Sequence, residues 1–287
     1  MTRIVYVNGR YLPYGQAAVH VEDRGFQFAD SVYEVCEVKN GALIDEERHA
    51  TRLQRSLKEL GIPSPATSWT IGHIMRQCIV RNRVRNGVVY LQVTRGEAPR
   101  DFAFPSGDVA PTFVCLARST NQSKTEALAA AGIAVKTLPE LRWGRCDIKT
   151  VMLLPACLAK EAARAAGARE AWFVDAEGFV TEGASSNAWI VDAEGKLITR
   201  TLGRELLPGV TRATLLDLIG RDHLAVEERA FTVAEAHGAR EAFTTSASAT
   251  VMPVVKIDDM LIGDGKPGAF TMRLRSSFHQ VAKVSGR

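Results

Sequence analysis

Four stretches of the chain hold residue types that could do chemistry. In R-C-D-I-K-T (145–150), Lys149 sits between Ile148 and Thr150, just ahead of the apolar run V-M-L-L-P-A-C-L-A. A lysine head group belongs in water unless it is paired. Read as extended chain, Cys146 and Ile148 share one face, and Asp147 and Lys149 the other. An edge strand showing the Asp/Lys face to water explains that pattern, and spacing alone favours it. The alternative is a partly desolvated amine of lowered pKa, the state of a Schiff-base nucleophile. In L-L-P-G-V-T-R-A-T-L-L (206–216), Gly209 precedes a helix opening with Val210 and Thr211. The unpaired N–H groups of such an end suit phosphate, although an ordinary first turn capped by Thr211 is the simpler account. T-T-S-A-S-A-T (244–250) lets backbone N–H groups approach an anion closely, or is a loop rich in hydroxyls. In T-E-G-A-S-S-N-A-W (181–189), Glu182 could cap a turn or accept a hydrogen bond from a protonated ring nitrogen.

The elements that must position these residues fall into two parts. I-V-Y-V-N-G-R-Y-L (4–12) and S-V-Y-E-V-C-E-V-K-N-G-A-L-I (31–44) each place Asn-Gly between β-formers, the signature of a hairpin. Leu53, Leu57 and Leu60 follow at i, i+4 and i+7, an amphipathic helix with Gly61 at its end. A second helix covers 70–84, and strands cover 88–96 and 112–118. The polar S-T-N-Q-S-K-T-E-A (119–127) has no apolar period and reads as a linker. Beyond it strands and helices alternate, with an Ala-rich helix from Pro155 to Gly167 and a short one over 211–220. W-F-V-D-A-E-G-F-V-T-E (172–182) and W-I-V-D-A-E-G-K-L-I-T (189–199) nearly repeat, and two copies predict neighbouring hairpins of one sheet. The fold class is α+β in two domains: a smaller one over 1–118, a linker at 119–124 and a larger one over 125–287.

Composition narrows the function. The 287 residues are 46% hydrophobic and 24% charged, enough to bury a core without disulfides or metals. With 36 Lys and Arg against 32 Asp and Glu the net charge is +4, and no basic cluster marks a nucleic-acid surface. Five scattered cysteines, with no CxxC and no zinc-ligand spacing, read as reduced thiols of a cytoplasmic protein without a metal site. No run approaches the ~18 apolar residues of a membrane span.

Together and in this order, the motifs resemble pyridoxal-phosphate enzymes of fold type IV, the family of D-amino acid transaminases, branched-chain aminotransferases and aminodeoxychorismate lyase. The matching pieces are F-A-D-S-V-Y-E-V (28–35), H-A-T-R-L (49–53), Q-V-T-R-G-E-A-P-R (92–100), R-W-G-R-C-D-I-K-T (142–150), V-T-E-G-A-S-S-N (180–187) and L-L-P-G-V-T-R (206–212). R-W-x-R-C-D-I-K and T-R-G-x-x-P-R point to the D-amino acid transaminases.

The resemblance implies pyridoxal 5′-phosphate as cofactor, with Lys149, in the larger domain, bonded to it and shuttling the proton at the substrate Cα. It implies that Glu182 pairs with the pyridine nitrogen and that Arg52, the N–H groups of Val210 and Thr211, Ser246 and Ala247 hold the phosphate. Leu207 would pack on the ring. Tyr33 and Arg100 would receive the substrate carboxylate, Arg100 from the partner subunit of a homodimer. Phe102 stands where relatives carry histidine, so the expected reaction is transfer from a D-amino acid such as D-alanine or D-glutamate to a 2-oxo acid, with an altered substrate range. The rival readings are a branched-chain L-amino acid aminotransferase, aminodeoxychorismate lyase and a non-catalytic small-molecule binding protein. Intact Lys149 and Glu182 speak against the last, because binding alone needs neither.

Overall fold

A computed structural model describes residues 3–285. The chain forms two compact units. The first runs to Asn121 and also takes in Ile148–Met152 and residues 283–285; the second comprises Gln122–Asp147 and Leu153–Ala282. Lys149 therefore belongs to the first unit, although the sequence assigned it to the second domain.

The first unit contains β1 (Ile4–Val7), β2 (Arg10–Pro13), α1 (Arg24–Phe28), β3 (Ser31–Lys39), β4 (Ala42–Leu43), α2 (Glu46–Leu60), α3 (Ser68–Arg81), β5 (Gly87–Thr94) and β6 (Phe113–Ser119). The strands make one antiparallel sheet in the order β2-β1-β6-β5-β3-β4. The two Asn-Gly turns are hairpins, with positive φ at Asn8, Gly9, Asn40 and Gly41. In β3, Val32, Glu34, Cys36 and Val38 are buried, so the inward row of a period-two strand includes a carboxylate. On α2, Leu53 and Leu57 enter the core, and so do His49, Arg52 and Ser56. The last three are spaced i, i+3, i+7 and share one helical face. Glu46 and Glu47 favour the helix start, and Gly61, at φ 59°, closes it by donating to the carbonyls of Leu57 and Lys58.

The segment around Lys149 departs from the extended reading. Residues 146–147 form a turn, and Cys146, Asp147 and Ile148 are all buried. Asp147 does not face water with Lys149: it is held by Arg145, whose Nε and Nη2 donate at 2.9 and 3.0 Å. Lys149–Val151 instead run beside the start of β3. The Tyr33 N–H donates to the Lys149 carbonyl at 3.0 Å and the Val151 N–H to the Ser31 carbonyl at 3.2 Å.

The second unit contains α4 (Gln122–Ala131), β7 (Ile133–Pro139), α5 (Leu154–Ala165), β8 (Glu170–Val174), β9 (Val180–Gly183), β10 (Asn187–Val191), β11 (Leu197–Thr199), α6 (Val210–Arg221), β12 (Val226–Glu228), α7 (Val233–His237), β13 (Glu241–Ser246), β14 (Thr250–Ile257), β15 (Met260–Leu261) and α8 (Ala269–Val281). Its mixed sheet runs β12-β11-β10-β13-β14-β7-β8-β9, with β15 added to β14. Two expectations change. Residues from Gln122 on are helix rather than linker, since the Ala-rich end of that stretch supplies helix propensity and buries Ala129. The two near-repeat hairpins share the sheet but are not neighbours: β13, β14 and β7 separate them. Alternation along β10 serves both faces. Trp189 stacks on Phe243 at 5.5 Å against α6 and α8, while Ile190 joins Trp172, Val180 and Phe231.

Candidate active site

In the first unit the buried face of α2 meets β3. Arg52 donates from Nε to Glu34 Oε1 and from Nη2 to Glu34 Oε2, both at 2.8 Å, a bidentate pair. His49 Nδ1 lies 2.7 Å from Glu34 Oε2. Burial alone would push the Glu34 carboxyl up; Arg52 and His49 outweigh it and hold it far below the ordinary range. Burial pushes the His49 pKa down, and the charges of Arg52 and Lys149 add to this against the pull of Glu34. The neutral ring therefore carries its proton on Nδ1 and donates it to the carboxylate. Ser56, one turn further along α2, accepts from the Lys149 backbone N–H at 3.3 Å.

The Lys149 side chain is half-buried, with Nζ 4.2 Å from the centroid of the Tyr33 ring. No ion pair to it occurs among the described residues. Tyr33 in turn stacks on Tyr90 at 5.7 Å, whose hydroxyl burial pushes up to about 12. The structure thus brings together Lys149, Tyr33 and the Arg52 cluster. Arg100 and Phe102 are exposed, Phe102 at 82%, and both rest on the Phe28 ring at 5.1 and 5.6 Å. Among the described residues no hydrogen bond or ion pair joins either to Tyr33 or Lys149.

In the second unit Glu182 lies in β9 and is buried. Its Oε2 accepts from Asn187 Nδ2 at 3.0 Å and from the Leu207 N–H at 3.1 Å, while Arg142 Nη1 donates to Oε1. Arg142 is fixed from behind by Glu140, which accepts from its Nε at 2.9 Å and its Nη2 at 2.6 Å. Burial alone would weaken the guanidinium's hold on its proton, but Glu140 and Glu182 outweigh it and raise the Arg142 pKa. Cys146 beside them is a protonated thiol, pushed up to about 12 mainly by burial, and so no nucleophile.

Asn187 also donates to the Leu207 carbonyl at 2.9 Å, tying the approach to α6 onto β10. Gly209 is required there: a Cβ would lie 2.0 Å from Asn187 Oδ1. Gly209 is the N-cap of α6, so no side chain, including that of Thr211, caps the first turn. Val210 and Thr211 hold its N–H groups in a buried setting. Ser246 ends β13 and Ala247 follows in the loop before β14, both half-buried.

Sequence reasoning missed Glu34, His49, Glu140, Arg142 and Asn187. Glu34 was detectable, because it shares the parity of Val32, Cys36 and Val38, and an inward carboxylate needs a cation. Glu140 and Glu182 come from distant parts of the chain, and no local pattern couples them to Arg142.

A family model described as amino-transferase class IV matches residues 31–257. The D-alanine aminotransferase of Bacillus licheniformis is 37% identical over 273 residues, covering 95% of each chain. Among solved structures, an Escherichia coli branched-chain amino acid aminotransferase superposes with a TM-score of 0.89 at 22% identity, over 98% of this chain and 95% of that one. A hypothetical aminotransferase from Mycobacterium tuberculosis, in its PLP-bound form, gives 0.84 at 20%, over 97% and 98%. At these identities the superpositions establish the fold, while the D-alanine aminotransferase match and the family model extend over most of the sequence. The chain belongs to the class IV amino-transferase family and is an aminotransferase of fold type IV.

Proposed function

We propose that the protein is a pyridoxal-phosphate-dependent transaminase moving the amino group of a D-amino acid, D-alanine or D-glutamate, to a 2-oxo acid. The observation that carries this is the Lys149 amine, half-buried beside Tyr33 with no carboxylate partner among the described residues, in a chain 37% identical to a D-alanine aminotransferase. A structural lysine so placed would be paired; a nucleophilic one must not be.

The donor sets fit the cofactor in kind: an amine for its aldehyde, a buried carboxylate for its ring nitrogen, and a guanidinium with uncapped helix N–H groups for its phosphate. Bound pyridoxal phosphate supplies an electrophilic carbon and a ring that takes up electron density from the substrate Cα. Lys149 would hold it covalently and would carry the proton at the substrate Cα. Glu182, ion-paired with Arg142 and hydrogen-bonded by Asn187 and the Leu207 N–H, would accept from the ring nitrogen. Arg52, Val210, Thr211, Ser246 and Ala247 would hold the phosphate, and Leu207 would pack on the ring. Tyr33 orients the substrate carboxylate with Arg100. The exposed Arg100–Phe102 stretch suits a role across the interface of a homodimer, in which Arg100 serves the partner's site. A cytoplasmic location fits the reduced thiols, and no helix among the described residues is long and apolar enough to cross a membrane.

The test is a half-reaction. Loss of the bound cofactor's absorbance on adding D-alanine, faster than with L-leucine, supports the proposal. The reverse order supports a branched-chain aminotransferase.

A further inference from the structure

We propose that Glu34 and His49 are positioning residues for the cofactor phosphate: they hold Arg52 by one edge of its guanidinium and so set phosphate affinity without touching the phosphate. The inference rests on the reading that Arg52 meets that group. Three observations carry it. Glu34 takes both Nε and Nη2 of Arg52 at 2.8 Å, which fixes the plane of the guanidinium as well as its place. The side chains of Glu34 and Arg52 are 1% and 9% exposed, so no water competes for the pair. His49 adds a bond to Glu34 Oε2 from the same face of α2, leaving the carboxylate bound on both oxygens.

Two effects oppose each other when Glu34 is changed. A glutamine in its place accepts only one of the two N–H groups and turns an amide NH₂ toward the other, so the guanidinium loses its fixed plane. The same change removes a negative charge beside Arg52, which favours an anion. We expect orientation to win. A buried guanidinium without its carboxylate seeks water, and an arginine that has moved away binds no phosphate, whatever its charge.

The experiment titrates full-length apoprotein with pyridoxal phosphate and, separately, with pyridoxal, which lacks the phosphate. The variants are Arg52→Gln, Glu34→Gln, His49→Gln and the Glu34→Gln/Arg52→Gln double, each checked for folding by circular dichroism. Losing one oriented, charge-assisted contact corresponds to about 10- to 100-fold weaker pyridoxal phosphate binding in Glu34→Gln and less in His49→Gln. Pyridoxal binding should change little, a distinction that general damage to the fold would not produce. The double variant should bind no more weakly than Arg52→Gln, because Glu34 acts only through Arg52. Unchanged or tighter pyridoxal phosphate binding in Glu34→Gln, with weak binding in Arg52→Gln, overturns the inference and leaves the phosphate reading standing. Arg52→Gln binding both ligands normally overturns that reading, and this inference with it. Should Glu34→Gln fail to fold, Glu34→Asp, which keeps the charge but shortens the reach, and His49→Gln decide: normal phosphate discrimination in both overturns the inference.

Discussion

The two units solve the charge problem in opposite ways. In the first, one arginine is matched by one buried carboxylate, His49 is neutral, and the amine of Lys149 is left without a carboxylate among the described residues. In the second, one arginine, Arg142, is shared by two carboxylates, Glu140 and Glu182. Buried polar clusters are costly unless fully paired.

The contrast between the units breaks most visibly at Lys149. Lys149→Ala is expected to lower transamination by at least about 10³-fold, measured with D-alanine and a 2-oxo acid, because the proposal gives both covalent attachment and proton transfer to that amine. Next is Glu182→Gln, expected to cost about 10²- to 10³-fold in kcat while cofactor affinity changes far less. Near-normal turnover would remove Glu182 from the chemistry. Arg142→Met tests this sharing directly. Stranding two carboxylates in a buried pair of which the arginine is 12% exposed should cost about 3–5 kcal/mol in denaturant unfolding.

Acid sharpens the same contrast. The His49 and Glu34 pKa values are both lowered by folding, from 6.5 and 4.5, so the unfolded chain binds protons first as pH falls. Their stabilisation is full above those values, starts to fade below pH 6.5 through His49, and fades further below 4.5 through Glu34. Thermal midpoints of wild type and His49→Gln between pH 8 and 5 should converge as pH falls if this holds. The smallest effect is expected at Phe102. Phe102→His adds one hydrogen-bonding group, so kcat/KM for D-glutamate should rise and that for (R)-1-phenylethylamine should fall, each by about 2- to 10-fold. Equal changes in both would show that Phe102 does not discriminate.

What was legible in the sequence was what local physics decides. Asn8-Gly9 and Asn40-Gly41 announced hairpins because few other pairs accept positive φ at both positions. The α2 stripe was legible at Leu53 and Leu57, yet the same helix also turns His49, Arg52 and Ser56 inward, which an apolar count cannot see. The polar stretch at 119–127 hid a helix because α4 buries little more than Ala129 and so lacks a stripe. Identical Asp-Ala-Glu-Gly turns at 175–178 and 192–195 gave two hairpins but not their separation, since sheet order follows from long-range pairing of β13, β14 and β7. Around the candidate site, the motifs drew attention to some groups and not to the side chains that hold them. Lys149, Glu182 and Arg52 sit in recognisable stretches, whereas Glu34, Glu140, Arg142 and Asn187 matter only through whom they touch.

The most direct test is to find where the cofactor is bonded. Holoprotein reduced with borohydride, digested and mapped by mass spectrometry should carry the pyridoxyl group on the peptide containing Lys149. A pyridoxyl group on Lys160, which is already paired with Glu170, or on Lys136, paired with Asp258, would contradict the assignment of Lys149 as the reactive amine.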